Sequence, residues 1–313
     1  MQTKHGRPSH PKGILLLGLA IVALFTASHL ARIIRNNPQS APESTAPVTS
    51  QRIVALSPSL VEIVYQLGID DQLVGVSRFS SYPPEAQEKT IVGGYLDLDF
   101  EKVVRLRPDK VLLLREQEKL TTRLNQLGIA TLSADHASTD GILSSILEIG
   151  KAFQQDDKAS AIVGDIKERL KRITSNLSQS GDMPRVLISI ERDTDIDRPA
   201  QLIAAGNAGV HQEYLKMTGA LNAYEGPADY PSLSREKLIQ LNPDVIIELI
   251  NPERWEELGE DRLREQWRAF SELKAVRNNH LIFLHEHRHL IPGPRFIDTV
   301  EAISNSLRAL PSP

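Results

Sequence analysis

No cysteine occurs among the 313 residues. Disulfides, thiolate metal sites and a lipid-modified N-terminal cysteine are therefore excluded, and the chain suits an oxidising compartment. A surplus of positive charge is lacking too: 36 Lys and Arg stand against 40 Asp and Glu, a net charge of −4. Nucleic-acid binding needs a basic face, so nucleic acid is excluded as a partner. No glycine-rich phosphate loop, Gly-x-Ser-x-Gly elbow or obvious nucleophile–base pair stands in the sequence, which argues against an enzyme and gives no sign of a resident cofactor. A hydrophobic content of 41% and a charged content of 24% are ordinary for a globular chain of one or two domains.

The N-terminus has a direction. Lys4, Arg7 and Lys12 precede an uncharged run over residues 13–27, the pattern of a secretory leader. Thr26-Ala27-Ser28 offers a fair cleavage site, while Leu30, Ile33 and Ile34 extend the apolar stretch. Residues 1–35 are thus expected to be a signal peptide or an uncleaved signal-anchor spanning 13–34, with the rest periplasmic or otherwise extracytoplasmic. Arg32 and Arg35 pull against that orientation. Residues 36–51, rich in Pro, Ser, Thr, Ala and Asn, cannot bury apolar area and read as a flexible linker.

From Arg52 onward short apolar runs alternate with helical periodicity. Residues 53–56, 73–76, 110–114 and 130–132 read as buried strands, and 60–67, 100–106 and 120–127 as helices. The alternation stops over 139–178, where Ile142, Ile146, Ile149 and Phe153, then Ile162, Ile166, Leu170, Ile173 and Leu177, describe a helix followed by a long one. Strands resume at 186–190, 245–250 and 281–284. Three folded parts follow: an N-terminal α/β lobe (52–138), a bridging helical segment (139–183) and a C-terminal α/β lobe (184–313).

An internal repeat ties the two lobes together. Asp99-Phe-Glu-Lys-Val-Val-Arg-Leu-Arg-Pro-Asp-Lys-Val-Leu-Leu-Leu114 matches Ser234-Arg-Glu-Lys-Leu-Ile-Gln-Leu-Asn-Pro-Asp-Val-Ile-Ile-Glu-Leu249. Each copy reads as a cap, a short helix, a Pro-Asp turn and a strand. Glu101 pairs with Glu236 and Tyr95 with Tyr230, and a second echo sets 62–68 against 213–219. The expected fold is α/β, two Rossmann-like lobes with parallel sheets joined by one long backbone helix. Ligands of open parallel sheets sit beyond the strands' carboxyl ends, so Tyr95 and Tyr230 are expected to flank one cleft between the lobes.

The segments Arg52-Ile-Val-Ala-Leu-Ser-Pro-Ser, Val74-Gly-Val-Ser, Tyr82-Pro-Pro-Glu-Ala, Val92-Gly-Gly-Tyr and Arg107-Pro-Asp-Lys-Val, in that order, resemble the periplasmic binding proteins for vitamin B12 and iron chelates that serve ABC importers. The resemblance runs from Arg52 to the helix after Pro292-Gly-Pro-Arg295. It implies that the chain captures a metal-chelate nutrient, a corrinoid first and haem or a ferric siderophore next, and delivers it to a permease dimer. It also implies that Glu101 and Glu236 dock on that permease, with Pro58, Tyr82, Tyr95 and Tyr230 at the ligand. Arg115 and Arg295 would meet carboxylates or phosphate on the ligand, and Arg115 departs from the Trp that B12 binders carry there.

His285-Glu-His-Arg-His289 matches the zinc-protease signature H-E-x-x-H, the basis of an alternative reading as an anchored metal-dependent hydrolase using His285, Glu286 and His289. That chemistry needs a helix, whereas the apolar run before it and Pro292 and Pro294 after it favour extended backbone. His285, His287 and His289 are then expected on one face, with His287 or His289 reaching the ligand.

Overall fold

The computed structural model describes residues 51–94, 97–175, 177, 183–194 and 201–310. The leader, residues 36–50 of the linker, and Tyr95 lie outside them; among the described residues no helix is long and apolar enough to cross a membrane.

The N-terminal lobe is a five-stranded sheet in the order β3-β2-β1-β4-β5, built from β1 (Ile53–Ala55), β2 (Leu73–Val76), β3 (Thr90–Ile91), β4 (Lys110–Leu114) and β5 (Thr131–Ala134). Every pairing is parallel. Its connecting helices are α1 (Pro58–Gln66), α2 (Phe100–Leu106) and α3 (Glu118–Gln126). Pro58 sits in the first turn of α1, where its missing N–H costs no bond and its fixed φ suits the helix. Burial on both faces accounts for the unbroken apolar runs of β1 and β4.

The bridge is two helices, α4 (Thr139–Ala152) and α5 (Asp156–Ser175). Ser138 caps α4 by accepting from the Gly141 N–H at 3.0 Å. The 20 residues of α5 span about 30 Å at 1.5 Å per residue, enough to run from one lobe to the other.

The C-terminal lobe corrects one expectation. Its sheet, in the order β11-β10-β6-β7-β9, is mixed. β6 (Arg185–Arg192), β10 (Val245–Leu249) and β11 (Leu281–Leu284) are parallel, as is the short β8 (Leu221–Asn222) beside β6. β7 (Gln201–Ala204), however, turns back antiparallel on β6, and β9 (Ser232–Ser234) pairs antiparallel with β7. The strand expected over 186–190 runs on to Arg192, which gives β7 an edge to pair with. The helices are α6 (Val210–Met217), α7 (Arg235–Leu241), α8 (Pro252–Arg268), α9 (Lys274–Arg277), α10 (His287–Leu290) and α11 (Phe296–Ala309).

The repeat is structural, down to its bonds. Asp99 caps α2 through the Lys102 N–H, and Ser234 caps α7 through that of Lys237. Both helices end on a left-handed residue, Arg107 (φ 47°) and Asn242 (φ 41°), before a proline that cannot continue the helix. Asp109 then accepts from the Arg52 N–H at 2.7 Å, and Asp244 from the Arg185 N–H at 2.9 Å. The same two arginines close the helix ends: Arg52 Nε donates to the Leu106 carbonyl and Arg185 Nη1 to that of Leu241, both at 2.8 Å. A cation–π contact recurs with its partners exchanged. Arg123 of α3 lies 4.3 Å over Phe100 of α2, whereas Arg235 of α7 lies 4.8 Å over Phe270.

One contiguous apolar cluster takes in Ile53 and Leu60 of the first lobe, Ile146 and Ile166 of the bridge, and Val186, Ile247 and Phe296 of the second. Each such fully buried side chain contributes about 1.5–3 kcal/mol relative to exposure. The lobes therefore share a core, and two smaller clusters fill their outer faces.

Candidate functional site

In the first sheet the chain leaves β1 towards β2 on one side and β4 on the other, so the crevice of an open parallel sheet opens beyond the ends of β1 and β4. Pro58 follows β1 and Arg115 follows β4. Both therefore stand where a ligand of this sheet would be met. Arg115 is largely exposed and pairs with Asp135 at 3.0 Å, which orients its guanidinium without burying it.

The second lobe also carries an expected residue in a loop next to its sheet. Tyr230, 61% exposed, precedes β9. Its hydroxyl is held above the usual tyrosine range first by partial desolvation, then by Asp229, and then by Glu116 of the first lobe. Phe79, which sequence reasoning passed over, is 59% exposed three residues beyond β2. Its ring lies beside Gly94, where a Cβ would fall 2.6 Å from Asp97 Oδ1, so glycine there lets the Asp97 carboxylate accept from the Gly94 N–H at 3.0 Å. Arg78 pins that loop, donating from its backbone N–H to the Gly93 carbonyl at 2.7 Å and pairing with Asp97 at 2.6 Å. An aromatic residue just past a strand's carboxyl end was the signal available for Phe79.

Two other expected residues, Arg295 and Tyr82, lie against each other. Arg295, at the start of α11, makes two bonds to Glu62 of α1, Nη2 to Oε1 at 2.5 Å and Nε to Oε2 at 2.8 Å. Its guanidinium also stacks 3.8 Å from the centroid of the Tyr82 ring. Tyr82 and Arg295 line a groove of about 440 Å³ with Glu62, Tyr65, Asp70 and Glu85. Burial raises the Glu62 pKa above the ordinary carboxylate value, against the lowering pull of Arg295; the pair is held in place by the fold around it.

The His285–His289 segment is not extended. His287–Leu290 forms one helical turn, so the three histidines diverge instead of sharing a face. His285 precedes the turn and stacks parallel on Trp255, ring centroids 4.1 Å apart. His287 is half-buried at the start of the turn. His289 is buried, with Nδ1 3.1 Å from Thr299 Oγ1, and burial lowers its pKa. Glu286 is bound to Arg288. The H-E-x-x-H geometry needs both histidines on one helical face, and one turn starting at His287 does not supply it. Among the described residues no group of three or more His, Asp or Glu is placed to hold a metal.

Glu101 and Glu236 are exposed in the first turns of α2 and α7, where a carboxylate also favours the helix dipole. One turn further on, each helix presents an exposed aliphatic residue at the matching repeat position, Val104 and Ile239.

Each lobe thus carries an exposed aromatic side chain in a loop next to its sheet, Phe79 in the first and Tyr230 in the second, and the two lobes share a core. The profile of the periplasmic binding proteins matches residues 53–287. An uncharacterised ABC transporter substrate-binding lipoprotein of Bacillus subtilis is 29% identical over 82% of this chain and 80% of its own length. The crystal structure of the periplasmic vitamin B12 binding protein of Vibrio cholerae is 25% identical with a TM-score of 0.70, covering 82% of this chain and 96% of that one. A periplasmic haem-binding protein of Pseudomonas aeruginosa is also 25% identical, with a TM-score of 0.68, over 84% of this chain and 93% of that one. With two lobes, a bridging helix and a family profile that fits most of its length, this chain belongs to the periplasmic binding protein family and is a substrate-binding protein of the ABC-transporter type.

Proposed function

We propose that this protein takes up a flat metal chelate outside the cytoplasm, a corrinoid in first place and haem in second, and hands it to an ABC importer permease without transforming it. The observation that carries this reading is a pair of exposed aromatic side chains, Phe79 just beyond β2 of the first lobe and Tyr230 just ahead of β9 of the second, which this reading takes as the two sides of an interlobe ligand site. A planar macrocycle buries large area against such faces and gains about 0.5–1.5 kcal/mol from ring contact beyond that burial. Relatives that bind vitamin B12 and haem stand at the same identity to this chain, so the choice between the two is one for titration. With no cysteine available for lipid attachment, any lasting tie to the membrane would fall to residues 13–34.

Titration of residues 51–313 with cyanocobalamin and with hemin, followed by absorbance and calorimetry, tests the reading. Saturable binding of cobalamin, weakened about tenfold in Tyr230→Ala and in Phe79→Ala, is expected. A hemin complex with a shifted Soret band, lost on changing Tyr230 or His287, would reassign the cargo to haem. If neither chelate binds, the proposal for this ligand class fails.

Glu101 and Glu236 are proposed as the docking carboxylates, one for each half of a dimeric permease, with Val104 and Ile239 beside them. Opposite charges at the rim of an interface act mainly on encounter rate and orientation. The double variant Glu101→Lys/Glu236→Lys is expected to lower uptake of labelled ligand by cells about tenfold or more, with ligand affinity in solution unchanged. Uptake equal to that of the parent would reject the docking role.

A further inference from the structure

The second repeat echo pairs Glu62 of α1 with Glu213 of α6. Neither carboxylate bonds within its own lobe's repeat. Glu62, with its side chain only 2% exposed, reaches from the first lobe to Arg295 of the second. Glu213 reaches the other way. Its Oε2 accepts both from the N–H of Thr139, at 2.7 Å, and from the Thr139 hydroxyl, at 2.5 Å. Thr139 opens α4, which packs on α1 of the first lobe, so this carboxylate also lies against a helix N-terminus.

Two closer contacts lie beside the first crossing. A Cβ on Gly293 would fall 2.8 Å from Ser59 Cβ, so only glycine lets the Pro292–Arg295 segment approach α1 that far. Ser59 Oγ is in turn 2.9 Å from His136 Nδ1. Glu62 thus fastens one lobe directly to the other, and Glu213 fastens the second lobe to the start of bridging helix α4, each through a two-point bond from one of two equivalent helices.

We propose that Glu62 and Glu213 are positioning residues, a matched pair of clasps, one lobe to lobe and one from the second lobe to the bridge, that hold the lobes at one spacing so that the ligand meets a preformed site. The inference rests on the reading of the interlobe cleft as the ligand site. Its physical basis is that a binding-competent spacing populated only part of the time weakens apparent affinity by that fraction. Two-point carboxylate bonds, buried at Glu62 and half-buried at Glu213, have the directionality to fix the spacing, which apolar packing alone leaves looser. Tyr82, stacked on the clasped Arg295, is tied to the same spacing.

The absence of cysteine makes the test clean. Spin labels on Lys102→Cys and Lys237→Cys, both exposed and on outer helices of opposite lobes, report the interlobe distance in the full chain by pulsed electron resonance. One narrow distribution is expected for the parent, scarcely changed by cyanocobalamin or hemin. Glu62→Gln and Glu213→Gln are each expected to broaden it, the double variant most. Loss of nine-tenths of the competent population would lower affinity for the chelate that binds about tenfold, mainly through association. Arg295→Lys, which keeps the charge but gives up the paired donors, is the second variant should Glu62→Gln fail to fold, and it should broaden the distribution too. Distributions as narrow as the parent's in the folded variants would overturn the proposal, even with a lowered melting temperature, because that result describes packing without positioning. The distance readout needs no ligand, so failure of both chelates to bind would count against the proposed cargo and leave the clasps to be judged by the label distances.

Discussion

Arg192→Ala is expected to destabilise the protein by about 3–5 kcal/mol. Arg192 and Glu248 form an ion pair inside the second lobe, their side chains 2% and 3% exposed, with Arg192 Nε 2.6 Å from Glu248 Oε1. Arg192 also donates from Nη2 to Glu248 Oε2 at 3.2 Å and from Nη1 to Gln266 Oε1 at 2.8 Å. The indole N–H of Trp267 gives Glu248 Oε2 its remaining partner at 2.6 Å. Cutting the arginine leaves a carboxylate on a central strand, desolvated and with one neutral donor. The loss therefore reflects a stranded charge more than the worth of the pair, since burying two charges costs nearly what their attraction returns. It follows that Arg192→Met with Glu248→Leu should recover most of the stability lost in the single variant. Denaturant unfolding of the three variants reads this directly. A single-variant loss below about 1 kcal/mol, as for an exposed pair, would show that water reaches Glu248.

Acid should be the second large lever. His136 and His211 are both buried, and desolvation holds each pKa down from 6.5 to about 4. For His211, placed in the first turn of α6 and edge-on to Tyr214, the helix dipole opposes a cation as well. A histidine kept neutral in the fold binds fewer protons than it does unfolded. Its stabilisation is therefore whole above about pH 6.5 and is lost progressively as pH falls towards 4. At 1.36 kcal/mol per unit, the loss is about 3 kcal/mol for each histidine. Glu62 acts with the opposite sign: its raised pKa means that the folded state gains relative stability as pH falls through that value towards the ordinary carboxylate range. His136 and His211, with the lowered His289 acting in the same direction, outweigh one carboxyl, so unfolding free energy should drop steeply between pH 6.5 and 4.5. His211→Phe should flatten the slope by nearly half. An unchanged slope in that variant would mean that His211 is protonated within the fold.

Much of the fold was legible because its signals are local. Strands β2, β4 and β11 begin and end close to where their apolar runs do, since buried parallel strands need unbroken hydrophobic residues. The paired helices α2 and α7 were marked by cap, acid and Pro-Asp turn, all within sixteen residues. β7 and β9 gave little warning, being three or four residues long and formed because β6 extends past its neighbours. The arginine clips at Arg52 and Arg185 were hidden for another reason. Each lies more than fifty residues from the aspartate it serves, and no local pattern joins them.

The site divides the same way. Sequence alone determined that two copies of one α/β unit flank a bridge, that Glu101 and Glu236 occupy equivalent helix starts, and that Tyr230 stands ahead of the second of them. These follow from periodicity, caps and repeat spacing. Tertiary structure alone decided that Arg295 is taken by Glu62 across 233 positions, that Phe79 faces solvent, and that the histidines after β11 diverge around a helical turn. Those outcomes depend on which surfaces meet when the lobes pack on their shared core. A side chain's partner across that core is set by three-dimensional fit and desolvation, and these leave no period in the chain.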